Sequence, residues 1–72
     1  MIKKQQQICA IRGNVVVGQP AIIQTVEPDG STPWKRTSNV YNWFGRNLGN
    51  GGMDLTIETK NTIYIGYNIS QG

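Results

Sequence analysis

MDLTIETKNTIYIGYNI, the run from Met53 to Ile69, decides the fold class of this chain. Leu55, Ile57, Ile63, Ile65, Tyr67 and Ile69 all fall at odd positions, with Asp54, Thr56, Glu58 and Asn68 between them at even ones. Alternation with a period of two is the mark of a half-buried strand, and Ile, Thr and Tyr fit a pleated surface. The polar break Lys60-Asn61-Thr62 separates two such runs, so the stretch reads as a β-hairpin. Keeping the odd residues on one face requires pairs that sum to an even number. That predicts Thr59 opposite Ile63, Ile57 opposite Ile65 and Leu55 opposite Tyr67, around a loop at 60–62. Gly66 falls inside the second strand, where glycine marks a bend or a close approach.

Upstream, the same reasoning gives a chain of short strands. Residues 1–6 are expected to fray. Ile8 to Ile11 forms a short apolar run closed by Arg12-Gly13-Asn14, and predicts a first strand over about 5–12. Val15-Val16-Val17 is β-branched throughout and reads as another strand, ended by the turn chemistry of Gly18-Gln19-Pro20. Ala21 to Val26 follows as a strand, then Glu27-Pro28-Asp29-Gly30 as a turn. Trp34 to Tyr41 is the next strand, with Trp34, Arg36, Ser38 and Val40 on one face. Asn42-Trp43-Phe44 reads as a helical turn, and Gly45 to Gly52, with four glycines, as a flexible loop.

No segment carries a helical period. One all-β domain spanning 1–72 is expected, with five or six short antiparallel strands and a C-terminal β-hairpin. At this length a small SH3-like barrel is the natural form, because closure removes exposed edges. A chain of 72 residues buries only roughly 60% of its unfolded surface and is marginal alone. Cys9 is the only cysteine and there is no histidine, so neither a disulfide within the chain nor a structural zinc site supports it. A homo-oligomer is the expected supplement. No segment approaches the ~20 apolar residues of a membrane span, and MIKKQQQICAIRG has no apolar run of signal-peptide length. The expected location is the cytoplasm, with no membrane partner.

Function is approached by exclusion. Without histidine, no Ser-His-Asp or Cys-His arrangement exists. Cys9, between Ile8 and Ala10, reads as a buried inert thiol. The four carboxylates are scattered, with no paired set. No enzyme activity, cofactor or metal is expected. Trp34-Lys35-Arg36 and Trp43-Phe44-x-Arg46 interleave aromatic rings with cations, as small barrels do when they stack and neutralise single-stranded nucleic acid. The alternative role for Trp34 and Trp43 is in the core, where at least half of the six aromatic residues are expected. The glycines of 45–52 together with Arg46 could instead hold the phosphate of a nucleotide, although the lysine and helix of a P-loop are absent. A protein-interaction module using a sheet edge or this loop is the remaining class. The net charge of +3 favours an anionic partner only mildly. The candidate ligand-binding residues are Trp34, Arg36, Tyr41, Trp43 and Arg46.

Two blocks, Trp34-Lys35-x-Thr37-Ser38-x-Val40 and Glu58-Thr59-x-Asn61-Thr62-x-Tyr64, carry a resemblance. The chain resembles small bacterial and phage proteins with a W-K-T-S-x-V segment followed by E-T-x-N-S/T-x-Y, over about its last forty residues. It departs from them by inserting Arg36 before Thr37 and by the long 45–52 segment. The resemblance implies a phage or mobile-element accessory protein that binds and neutralises a host factor or a host signalling nucleotide. It assigns no residue a role. The residues themselves allow a structural account, with Thr37 and Ser38 pairing across strands and Thr59 and Thr62 closing the hairpin.

Overall fold

Alternating Ile, Thr and Tyr residues set the strands, and two-residue or glycine-containing turns separate them. The computed structural model describes residues 3–49 and 51–71. It contains β1 (Lys4–Arg12), β2 (Pro20–Thr25), β3 (Trp34–Asn39), β4 (Asn42–Asn47), β5 (Gly52–Glu58) and β6 (Thr62–Gln71), with no helix among the described residues. The fold is all-β. One mixed sheet holds the strands in the order β3-β2-β1-β6-β5-β4. Every neighbouring pair is antiparallel except β1 and β6, which are parallel at its centre.

The sheet is not closed, which corrects the expected SH3-like barrel of antiparallel strands. β3 and β4 are its two edges and do not pair. The two-residue connector between them is long enough for a hairpin, but its backbone groups are engaged elsewhere. Val40 donates its N–H to Gln19 O at 3.0 Å and accepts from Gly18 N–H at 2.8 Å, while Tyr41 donates to Glu58 O at 2.8 Å. Val40 and Tyr41 thus tie the two ends of the sheet together at one corner.

Bulges bend the sheet along a line. The registers of β1 with β2 and with β6 shift between Ile8 and Ala10, and that of β5 with β6 shifts between Met53 and Leu55. Ile8, Gly66 and Leu55 form one cross-strand row beside all of these shifts. An extra residue bends a strand and increases its twist. In β6 the extra residue places Asn68 at φ 49°, and its N–H donates to Asp54 Oδ1 at 3.0 Å. Asparagine tolerates this left-handed conformation.

The hairpin register differs from the expected one. Glu58 pairs with Ile63, Ile57 with Tyr64 and Leu55 with Gly66, around a two-residue Lys60-Asn61 turn closed by Thr59 N–H on Thr62 O at 2.9 Å. Tyr64 and Gly66 therefore face the core, and the bulge then returns Ile69 to it. Ile63 and Ile65 lie on the opposite surface. Four further expectations are corrected. Val15 to Val17 form a loop, of which only Val15 packs on the core. Residues 42–44 are strand and not a helical turn. Gly45 to Asn47 belong to β4 and Gly52 opens β5, so the expected loop narrows to 48–51, with Asn50 outside the described residues. Of residues 1–6, expected to fray, Lys4, Gln5 and Gln6 pair with Thr62, Ile63 and Tyr64, while residues 1 and 2 lie outside the described residues.

The core is aliphatic: Ile8, Ile11, Ala21, Ile23, Val40, Leu55, Ile57 and Ile69. Three threonines are buried with it, and each has a hydrogen-bond partner, as buried polar groups require. Thr37 Oγ1 accepts Ala21 N–H at 2.9 Å and donates to Ser38 O at 2.6 Å. Thr59 Oγ1 donates to Thr62 O at 3.0 Å, and Thr25 Oγ1 to Glu27 Oε1 at 3.3 Å.

Candidate binding surface

The five residues singled out in the sequence do not converge. Trp34 and Arg36 stand on the outward face of edge strand β3, opposite Gln24 and Ile22. Paired residues share a face of the sheet. Arg12 pairs with Ile22 in turn, so Arg12, Ile22 and Arg36 form one row with a cation at each end. The Arg12 guanidinium lies over the Trp34 ring, 5.1 Å from its centroid. Arg12 was missed in the sequence because it reads there only as the start of a turn. Cation–aromatic alternation within β3 was the available signal, and the neighbour across the sheet completes it.

Tyr41 sits on the connector between the two sheet edges. Its ring lies 5.4 Å from Lys3 Nζ, which also bonds Glu58 Oε2 at 2.6 Å and Thr59 O at 2.8 Å. Trp43 is on the concave side of β4, opposite Ile57. It borders a cavity of about 280 Å³ with Ile11, Val15, Met53 and Leu55. No cation lines that cavity; it is the apolar interior reached through the open side of the sheet. Arg46 faces outward from β4 opposite Asp54.

Aromatic exposure is the dominant surface feature. Trp34 is 45% exposed, Tyr41 55%, Trp43 44%, Phe44 72% and Tyr67 70%. Of the six aromatic residues, only Tyr64 packs against the core. The expectation that at least half of the aromatic residues are core is thereby corrected. Phe44 and Tyr67 were not among the sequence candidates. Phe44 lies on the outward face of β4 opposite Thr56, and Thr56 in turn is opposite Ile65.

All four carboxylates are engaged locally. Glu58 pairs with Lys3 and Asp54 accepts the Asn68 amide. Glu27 pairs with Lys35, which holds the Glu27 carboxyl below its ordinary value. Asp29 accepts the Ser31 hydroxyl at 2.6 Å and the Ser31 N–H at 2.9 Å, and these bonds lower its pKa as well. Hydrogen bonds to the charged form favour that form. The described residues contain no group of three or more His, Cys, Asp or Glu able to hold a metal ion, and no helix long and apolar enough to cross a membrane. Comparison with known protein families, curated proteins and solved structures gave no match.

Proposed function

We propose that this chain is a non-catalytic binding module that meets its partner through surface aromatic side chains. It acts as a phage or mobile-element accessory protein, in the sense implied by the resemblance of its C-terminal half, and neutralises a host protein by occupying it. The observation that carries this reading is the inversion of aromatic burial: five large rings outside, an aliphatic core inside. An aromatic side chain offers 150–250 Å² of burial, roughly, and aromatic residues are enriched at protein contacts. A marginal domain that leaves about half of that area or more in water at each of five rings has it available for a partner. The engaged carboxylates and the absence of histidine support a role without catalysis.

A second reading, single-stranded nucleic acid, is favoured by the Arg12-Trp34-Arg36 group. A base stacked on Trp34 would have a guanidinium on either side for phosphate. The same group could hold a signalling nucleotide.

Native mass spectrometry of gently purified wild type and of Trp34→Ala, Arg36→Ala, Tyr41→Ala and Tyr67→Ala separates these readings. A stoichiometric host protein lost on Tyr41→Ala or Tyr67→Ala supports the preferred reading. Retained polynucleotide, or a mononucleotide-sized ligand, lost on Trp34→Ala and Arg36→Ala moves the assignment to the second. Unchanged retained mass together with collapsed stability in all three aromatic variants would show the rings to be structural, and the proposal would fall.

A further inference from the structure

The two edges of the sheet are built differently. β3 is defended: Pro33 precedes it, Lys35 lies on the concave face opposite Ile23, and the register with β2 shifts between Pro20 and Ile22. Proline, inward charge and bulges are the devices that blunt a sheet edge. β4 has none of these three, and its one charge, Arg46, lies on the outward face. Its register with β5 runs without a shift from Asn42 opposite Glu58 to Asn47 opposite Met53. Its sequence, Asn-Trp-Phe-Gly-Arg-Asn, has no proline and no charge on the concave face.

Which groups β4 offers follows from its ladder. Leu48 donates its N–H to Gly52 O at 3.1 Å, which marks the even-numbered residues as those bonded to β5. In an antiparallel ladder the intervening residues point both backbone groups the other way. Trp43, Gly45 and Asn47 therefore present N–H and C=O to the free edge. The Trp43 N–H agrees with this parity, since it is held by Asn42 Oδ1 at 2.9 Å and not by β5.

We infer that β4 is a dimerisation edge, and that its occupant is β4 of a second copy, antiparallel about a two-fold axis at Gly45. The strand is self-complementary in this register. Gly45 meets Gly45 of the second copy, and Trp43 meets Asn47 of the second copy at both ends. The Gly45 pair exchanges two hydrogen bonds, and each Trp43–Asn47 pair does so once the Trp43 N–H leaves Asn42 Oδ1. On the outward face, Phe44 falls opposite Arg46 of the second copy, twice, in the non-bonded positions where side chains approach most closely. A guanidinium over an aromatic ring is attractive there. The result is one continuous sheet through both copies, joined at an edge that is undefended in the monomer. It also supplies the stabilisation that a chain of this size needs. This inference stands apart from the proposed host partner: it takes Trp43 and Phe44 of the five exposed rings and leaves Trp34, Tyr41 and Tyr67 for that contact.

Sedimentation equilibrium over a micromolar-to-millimolar series, with folding checked by circular dichroism, tests it on three full-length proteins. Phe44 is 72% exposed, so neither substitution disturbs the core. Wild type is expected to dimerise. Phe44→Lys sets like charges against Arg46 in both pairs and weakens the dimer about tenfold per pair, roughly a hundredfold in all. Phe44→Glu sets opposite charges there and keeps the dimer, now with salt-sensitive affinity. A wild type that stays monomeric throughout overturns the inference. So does a dimer indifferent to Phe44→Lys, which places the interface elsewhere. Loss of the dimer with both variants overturns the Gly45-centred register, because Glu is repelled only where Phe44 meets itself.

Discussion

Gly66 and Gly45 show how far one methyl group reaches in this domain. A Cβ at Gly66 would lie 2.9 Å from Ile69 Cγ2 and 3.0 Å from Ile8 Cγ1, both belonging to fully packed core side chains. Neither can retreat without moving a bulged strand. Gly66→Ala is therefore expected to lower stability by about 1–3 kcal/mol, the usual cost of overpacking, as read by urea denaturation. At Gly45 the nearest contact is Met53 Cε at 2.8 Å, the far end of a flexible side chain. Gly45→Ala should cost less than Gly66→Ala, and the reverse order would contradict the packing described. The sequence marked Gly66 as a point of close approach but gave no comparable signal for the tryptophans. Trp34 and Trp43 could each have been core by composition. Both are about half exposed: Trp34 stands on the outward face of β3, and Trp43 on the concave face of the edge strand β4, where it borders the cavity without filling it.

At the scale of strands and turns, the C-terminal hairpin was legible in its existence and not in its register. Odd-position alternation in β6 runs unbroken through Tyr67 and Asn68, so nothing in the residue pattern announces that a bulge switches the buried parity from Tyr64 and Gly66 to Ile69. β4 was hidden because Asn-Trp-Phe-Gly does not alternate in hydropathy, and the parallel pairing of β1 with β6 joins the chain's two ends, which no local pattern records. The bulge itself makes a prediction. Asp54 Oδ1 is the acceptor for the Asn68 amide; a typical hydrogen bond contributes about 0.5–1.5 kcal/mol, and one to a charged group about 1.5–3 kcal/mol. Asp54→Ala should speed hydrogen exchange at Asn68, whereas Asp54→Asn, which keeps an oxygen there, should largely preserve protection. Equal acceleration in both would mean that charge, and not the bond, holds the bulge. The 27–35 turn responds to acid. Lys35 first, by its hydrogen bond, lowers the Glu27 carboxyl below its ordinary 4.5, and Ser31 lowers Asp29 below its ordinary 3.8. A depressed carboxyl stabilises the fold above its unfolded value and loses that contribution as pH falls through the folded one. Amide shifts of residues 27–35 should titrate below pH 4.5 in wild type, and Lys35→Ala should move the Glu27 transition upward. A Glu27 midpoint unaffected by Lys35→Ala would detach the turn from that ion pair.

The whole molecule is a curled sheet that keeps small aliphatic residues inside and large rings outside, and this division sets where it can be damaged. For a chain of 72 residues, total stability is on the order of 4–11 kcal/mol. Ile57 is fully buried in the core row opposite Trp43 and Tyr64. Ile57→Ala removes buried methyl groups and leaves a cavity, a change worth about 2–5 kcal/mol, and so a large share of what holds the domain folded. Tyr67 has the larger side chain but is 70% exposed, so Tyr67→Ala forfeits little burial and should stay within about 0.5 kcal/mol of wild type. Size and energetic weight are thus expected to run in opposite directions. Urea midpoints for Ile57→Ala and Tyr67→Ala, taken at one low protein concentration so that self-association does not contribute, compare the two directly. If the Tyr67 variant lost as much stability as the Ile57 variant, the aromatic shell would be part of the folding core, and the case for a ring-lined contact surface would go with it.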